Sequence, residues 1–381
     1  MRASYVAGAG MVRFGKYKDQ LLEDLAEEAA RRALAAAGAR PEQIQAVYFG
    51  HVFGGPVAGQ RVAVRLGLGG IPVSNHENYC ASGATALREA WTAIGAGMFD
   101  ITLVVGMEKM SDRVKGGLTP DPNDLDAAVG YVMTAGHAMS ARRYILDHDA
   151  TREQIAMVSV KNHHHAQYNL YAQYQEPVSL EQVLSARPIC EPLGLLDCSP
   201  IGDGAAAVVV ASRAGLRKLG ITGRRPRVSA CALVSGLLRV GLGDINAEDI
   251  SRRAGEQAYG MAEIDPSDVD VVEMHDCFTI AEIVRLEALG LIPVGEGGRW
   301  VEERRTWIGG KLPVNPSGGL LARGHPVGAT GVAQVCELTW QLTAQAGQRQ
   351  VNGARVGLAY CKGGTVQGTD GASVSVVVMK N

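Results

Sequence analysis

Aromatic side chains are scarce in this sequence, 5% of 381 residues, while glycine occurs 48 times. Few large rings and many residues without a Cβ point to helices packed closely on sheets, with backbone approaching backbone or ligand. Charge of one sign is missing as well. The formal net charge is −2, so no overall field draws nucleic acid or an anionic membrane, although Arg224, Arg225 and Arg227 form a local cluster suited to a phosphate. No Cys-x-x-Cys occurs, which argues against a zinc ribbon or a thioredoxin-like centre. The seven cysteines, at 80, 190, 198, 231, 277, 336 and 361, are dispersed and odd in number. Such a set suits reduced thiols in a cytoplasmic protein better than a disulfide framework. The apolar run near the N-terminus is short and broken by glycine, so neither a signal peptide nor a membrane span is expected.

What is present is the alternation of an α/β protein. Apolar strand-like runs recur at Ala46 to Phe49, Ile101 to Val105, Ala205 to Val210, Val269 to Met274, Val356 to Ala359 and Ala372 to Val378. Helical patterns lie between several of them, notably Leu21 to Ala37 and Ser82 to Ala96. A chain of 381 residues exceeds what one core usually serves, so two domains are expected.

Those domains read as copies. The stretch LAEEAARRALAAAGARPEQIQAVYF and the later SRRAGEQAYGMAEIDPSDVDVVEM share one plan of helix, Pro-initiated turn and strand. Pairing Pro41 with Pro266 at an offset of 225 also pairs Ala33 with Ala258 and Val47 with Val272. Further on, Gly83-Ala84-Thr85 recurs at Gly328-Ala329-Thr330, an offset of 245 that sets Cys80 opposite His325. If the halves pack about a pseudo-twofold axis, these two residues face each other across a cleft.

Cys80 stands in ENYCASGATA, where the small Ala81, Ser82, Gly83 and Ala84 leave room for an acyl group. At a helix start, free amides and the helix dipole favour a thiolate and can hold an oxyanion. His325, in GHPVGATG, has an unperturbed pKa near neutrality and suits a general base. HDCF, residues 275 to 278, ends a strand, where catalytic groups often sit; Asp276 alternatively caps the helix that begins near Thr279. In YCKGGTVQG, Cys361 is either reactive or merely buried, and Gly363 can present its N–H. The run His163 to His165 looks like a metal site, but consecutive histidines diverge, so an exposed helix face or loop is expected and no metal.

Taken together, NYCASG at 78 to 83, GHPVGATG at 324 to 331 and CKGG at 361 to 364, with DCSPIGDGAAAVVV at 197 to 210, resemble the thiolase superfamily. HDCF resembles the sterol-carrier-type and archaeal-like branch. The resemblance implies two αβαβα halves, 1–225 and 226–381, with a loop region at about 113–195 inserted in the first. It implies an acyl-CoA C-acyltransferase with Cys80 as nucleophile and His325 as base. Either Cys361 or Cys277 would be the second acid and base. His275 would help hold an oxyanion, the N–H groups of Cys80 and Gly363 would form another hole, and Asn315 would support the His325 loop. CoA and acyl-CoA enter as substrates without a permanent cofactor, and a homodimer or homotetramer is implied. Residues Ser235 to Asp244 lack the Met-Gly-x-Gly-Pro loop of many members, which leaves the acyl chain and the CoA contacts unassigned. Two rivals stand beside this reading. One is a thiolase-like aldolase or specialised C-acyltransferase needing a small OB-fold or zinc-ribbon partner; the other is a non-catalytic acyl-CoA binder, which has no use for an activated thiol.

Overall fold

A computed structural model describes residues 1–118, 128–239, 243–366 and 368–381. The strands are β1 (Ser4–Met11), β2 (Ala46–Gly50), β3 (Val73–His76), β4 (Ile101–Lys109), β5 (Pro188–Cys190), β6 (Leu193–Gly194), β7 (Asp203–Ser212), β8 (Arg227–Ser235), β9 (Val271–Glu273), β10 (Val356–Gly363) and β11 (Ser373–Lys380). The helices are α1 (Leu22–Ala37), α2 (Ala58–Arg65), α3 (Ser82–Gly95), α4 (Met133–His148), α5 (Arg152–Ala166), α6 (Leu180–Leu184), α7 (Arg213–Lys218), α8 (Asp249–Ala262), α9 (Thr279–Ala288), α10 (Gly297–Glu302) and α11 (Thr330–Leu342).

Nine strands form one mixed sheet in the order β3-β2-β4-β7-β1-β8-β11-β10-β9. Cut between β1 and β8, it reads the same outward in both directions. From β1 the path runs antiparallel to β7, antiparallel to β4, then parallel to β2 and β3. From β8 it runs antiparallel to β11, antiparallel to β10, parallel to β9 and finally to a parallel bridge at Val314. The halves join where Ser4 pairs with Val228 and Tyr5 with Arg227. The duplication extends to the turns: Pro41–Gln43 and Pro266–Asp268 are both 3-10 turns with proline at the start, each followed by a buried apolar residue, Ile44 and Val269.

Cores separate the layers. Helix α1 covers one half's outer face and α8 the other's, while Ala86, Leu87 and Ala90 of α3 share a central cluster with Val332, Ala333 and Val335 of α11 and with strand residues of both halves. This is the five-layered thiolase-like αβαβα plan around a pseudo-twofold axis. Between β4 and β7 lies the inserted region. Outside residues 119–127, which fall beyond the described residues, it is largely helical: α4, α5 and α6 plus the β5–β6 hairpin, packed on α9 through Tyr144, Ile155, Val158 and Ile283.

The small residues after Cys80 bring the first half's backbone against the second half's. A Cβ at Gly83 would lie 2.6 Å from the Gly328 carbonyl, and one at Gly331 would lie 2.6 Å from the Ala84 nitrogen. The two Gly-Ala-Thr copies thus pack on one another backbone to backbone.

Candidate active site

Cys80 sits in a single 3-10 turn, Tyr79–Ala81, that feeds α3. Tyr79 before it has φ of 52°, an uncommon conformation for a residue with a Cβ. Across the interface, His325 Nε2 lies 3.3 Å from Cys80 Sγ, and both residues are buried. On the ring's other side Nδ1 is 2.7 Å from the Thr330 hydroxyl. That hydroxyl donates its only proton to the Pro326 carbonyl at 3.0 Å, so it accepts from Nδ1–H. The tautomer is thereby fixed, with the Nε2 lone pair facing the thiol.

Three other expected residues join this pair. The Cys361 thiol donates to the carbonyl oxygen of Cys80 at 2.9 Å, and Cys361 lies near the end of β10. His275 follows β9; its Nδ1 is 3.4 Å from Cys361 Sγ and accepts from the Lys362 N–H at 3.4 Å. The His275 and His325 rings meet edge to face with centroids 5.0 Å apart. One side-chain donor atom each from Cys80, His275 and His325 lie within 4.8 Å of one another. Gly363 lies against the Cys80 turn: a Cβ there would stand 1.9 Å from the Asn78 carbonyl and 3.0 Å from the Ala81 nitrogen. Gly363→Ala should therefore push that turn aside and lower kcat by roughly tenfold to a hundredfold, since misplacements of about 1 Å have that effect. Steady-state kinetics beside circular dichroism would check it, and unchanged kcat in a folded variant would contradict it.

Cys277 has partners of its own. Its Sγ lies 3.6 Å from Arg285 Nη1 and 3.9 Å from His137 Nε2, whose ring stacks on Phe278.

The resting electrostatics differ from the expected thiolate. Burial drives the Cys80 thiol well above its ordinary pKa, and charge on Cys361 or Cys277 would raise it further; Arg285 and a backbone hydrogen bond pull the other way. Burial, assisted by Arg323 and Arg285, lowers His325 to about 3. Burial likewise takes His275 well below the usual histidine range, helped by His325 and Arg285, and pushes Cys361 up to about 12. Desolvation outweighs the helix start, so the pair rests as neutral thiol and neutral imidazole.

Other placements correct the sequence reading. Asn315 reaches the His275 segment as well: its Oδ1 accepts from the Met274 N–H at 2.7 Å, while its carbonyl accepts from the Gly318 N–H in the segment that leads to His325. Asp276 does not cap α9. It accepts from the N–H groups of Leu320 and Leu321 and from Asn162 Nδ2, and burial beside Glu282 raises its pKa to about 7. The His163–His165 run is in α5 and is not an exposed face, since His163 and His165 are buried and His165 Nδ1 donates to the Asn315 carbonyl at 3.0 Å. Part of the Ser235 to Asp244 departure, residues 240–242, lies outside the described residues.

Two residues not singled out in the sequence shape the site. One is Thr330. The other is Glu108, wholly buried at the end of β4, whose carboxylate takes the N–H groups of Val52, Phe53 and Gly328 at 2.8 to 3.2 Å and so ties the His325 loop to the first half. An acid closing the apolar run ITLVVGMEK was the available signal.

Known families match both halves of the chain. The thiolase N-terminal domain matches residues 4–214, and the thiolase C-terminal domain-like family matches residues 243–377. The chain belongs to the thiolase family. It is an acyltransferase of that kind, a thiolase acting on acyl-CoA. This thiolase is 41% identical over 374 residues to acetyl-CoA acetyltransferase of Methanothermobacter thermautotrophicus, covering 96% of this chain and 97% of that one. It is 37% identical over 369 residues to benzoylsuccinyl-CoA thiolase subunit BbsB of Thauera aromatica, covering 95% of each. Human sterol carrier protein 2 is 36% identical over 383 residues, 94% of this thiolase and 70% of that protein. Among solved structures, the Ltp2-ChsH2(DUF35) aldolase matches with a TM-score of 0.84 and 25% identity over 99% of this chain and 98% of that one. Human mitochondrial 3-ketoacyl-CoA thiolase in complex with CoA shares the fold, with a TM-score of 0.75 and 21% identity over 100% and 98%. No helix among the described residues is long and apolar enough to cross a membrane.

Proposed function

We propose that Cys80 carries the acyl group, that His325 is its base and that Cys361 is the second acid and base. The observation that carries this reading is the 3.3 Å contact between His325 Nε2 and Cys80 Sγ, with the Cys361 thiol against the Cys80 carbonyl. In thiolysis, His325 takes the thiol proton as sulfur attacks the 3-oxo carbon of the substrate. The resulting alkoxide needs donors, and the N–H groups of Cys80 and Gly363 are assigned to it. Collapse breaks the carbon–carbon bond and releases an acyl-CoA enolate, which takes a proton from Cys361 while His275 steadies its oxygen. CoA, passing its thiol proton to the Cys361 thiolate, then attacks the thioester and takes the acyl group, and the departing Cys80 sulfur recovers the proton held by His325. Condensation is the reverse, and neither direction calls for a metal or a permanent cofactor.

Cys277 is the alternative acid and base, and two variants separate the candidates. Cys361→Ala should still acylate Cys80, seen as the acyl mass added to the intact protein, yet lose exchange of the acetyl-CoA α-protons with deuterium by about a hundredfold or more. Cys277→Ala should lose little. The opposite ranking would transfer the role to Cys277.

A second reading is favoured by the likeness to the Ltp2-ChsH2(DUF35) aldolase. In it the chain works with a small OB-fold or zinc-ribbon partner. Thiolysis of acetoacetyl-CoA by the purified chain alone would count against that requirement. A homodimer or homotetramer, a cytoplasmic setting and a division at 225/226 belong to the same proposal; size measurement in solution tests the first.

A further inference from the structure

At the seam where β1 meets β8 a cavity of about 630 Å³ opens, bounded by α7, the turn into β8 and the ends of α8 and β11. It lies far from the catalytic centre. Ser373 is paired with Gly363 at the catalytic end of β11, and the cavity is at Lys380 on the other end, roughly 23 Å of extended chain away. The volume falls in the range of small-molecule sites.

Six cations line it: Arg213, Arg217, Arg224, Arg225, Arg227 and Lys380, against the single acidic side chain of Glu263. None of the six takes part in an ion pair within 4.0 Å among the described residues. Arg213 donates to the Tyr5 hydroxyl, Arg225 to the Ala7 carbonyl and Lys380 to the Ala262 carbonyl, which fixes those three in place without neutralising them. A second observation points inward. Ser229, only 9% exposed, lines the same cavity, and its hydroxyl has no hydrogen-bond partner. Leu216, Ile221 and Met261 supply an apolar wall. Unneutralised guanidinium groups, an unsatisfied hydroxyl and an apolar wall together match a small molecule with several phosphates and a flat or apolar portion.

The geometry points to a second, non-catalytic site at this seam for a polyphosphate-bearing small molecule of nucleotide size. The test is titration of the full-length protein with ATP, inorganic tripolyphosphate and adenosine, by calorimetry and thermal shift, in 50 mM and 300 mM salt. Wild type is compared with Arg217→Ala/Arg224→Ala, whose side chains are exposed and outside the catalytic groups. ATP should bind saturably and raise the melting temperature, more weakly at the higher salt. The double variant should bind at least tenfold more weakly while keeping wild-type thiolysis in the absence of ATP. Tripolyphosphate binding alongside ATP supports recognition of the phosphates, and ATP binding alone supports a nucleotide. Adenosine binding as well as ATP, no saturable binding at millimolar ligand, or binding that survives the double variant and is displaced by acetyl-CoA would each overturn the site. Tighter, Arg217- and Arg224-dependent binding to phosphatidylserine vesicles than to any soluble phosphate would overturn it in favour of a membrane surface.

Discussion

Cys80→Ser is expected to lower thiolysis of a 3-oxoacyl-CoA by at least about a thousandfold, the scale on which loss of an activated nucleophile is felt. The substitution changes little else. Serine is close in size, and a hydroxyl can keep the hydrogen bond to His325 Nε2 and leave the packing of the two Gly-Ala-Thr segments intact. What changes is acidity. The buried thiol already stands well above its ordinary pKa beside the imidazole that Thr330 orients. A hydroxyl in the same surroundings is harder still to deprotonate, and Arg285, which pulls the thiol downward, acts on it no more strongly. The measurement is steady-state thiolysis together with intact mass after incubation with acetyl-CoA. Wild type should gain one acyl group and the variant none, with circular dichroism and melting temperature unchanged. Undiminished thiolysis in the folded variant would remove Cys80 from the reaction.

The juxtaposition behind that result was legible in the sequence because each repeated motif keeps its equivalent positions at one local offset, 225 around Pro41 and 245 around Cys80. Aligning Gly83-Ala84-Thr85 with Gly328-Ala329-Thr330 sets Cys80 against His325, and the two do meet. The apolar runs behind β2, β4, β7, β10 and β11 were legible for an equally local reason, since strands buried on both faces read as continuous hydrophobic stretches. β1 was not, because its glycines disguise it. A Cβ at Gly8 would lie 2.4 Å from the Ala37 nitrogen and one at Gly10 2.4 Å from the Ala33 nitrogen, so the strand gives up side chains to let α1 lie flat upon it. The thiol's acidity was misjudged for a related reason. A sequence displays the helix start that favours a thiolate but not the depth of burial that opposes it. The histidine run failed likewise, because divergence of three neighbouring rings says nothing of which of them another element covers. Asp276 was misplaced and the reach of Asn315 to the His275 segment went unread, since their partners, Leu320 and Met274, are tens of residues away in the chain.

Those last two belong to a buried polar cluster from which the other large effect is expected: Lys161→Met should destabilise the fold by about 3–5 kcal/mol, the usual result of stranding one partner of a buried ion pair. Lys161 and Glu282 are both inaccessible to solvent and 2.5 Å apart, and Lys161 also donates to the Val314 carbonyl. Glu282 in turn accepts from Asn315 and Asn162, and Asn315 fixes the Met274 N–H beside His275. Without the ammonium, Glu282 faces Asp276 with no compensating charge, although Asp276 already has its pKa raised to about 7 by burial and by Glu282 and is relieved by Lys161. Carboxyl groups whose folded pKa lies above the unfolded value, about 4, stabilise fully at lower pH and lose that contribution as pH rises through the folded pKa. The deficit of Lys161→Met should consequently be smaller at pH 5.5 than at pH 8, and urea unfolding at both values measures it. Lys161→Met/Glu282→Gln, which removes both charges, should recover most of the loss, because the penalty comes from the unpaired charge and not from the missing contact. A single variant within about 1 kcal/mol of wild type at pH 8, or a double variant no better than the single, would mean that the ion pair does not hold the floor beneath His275.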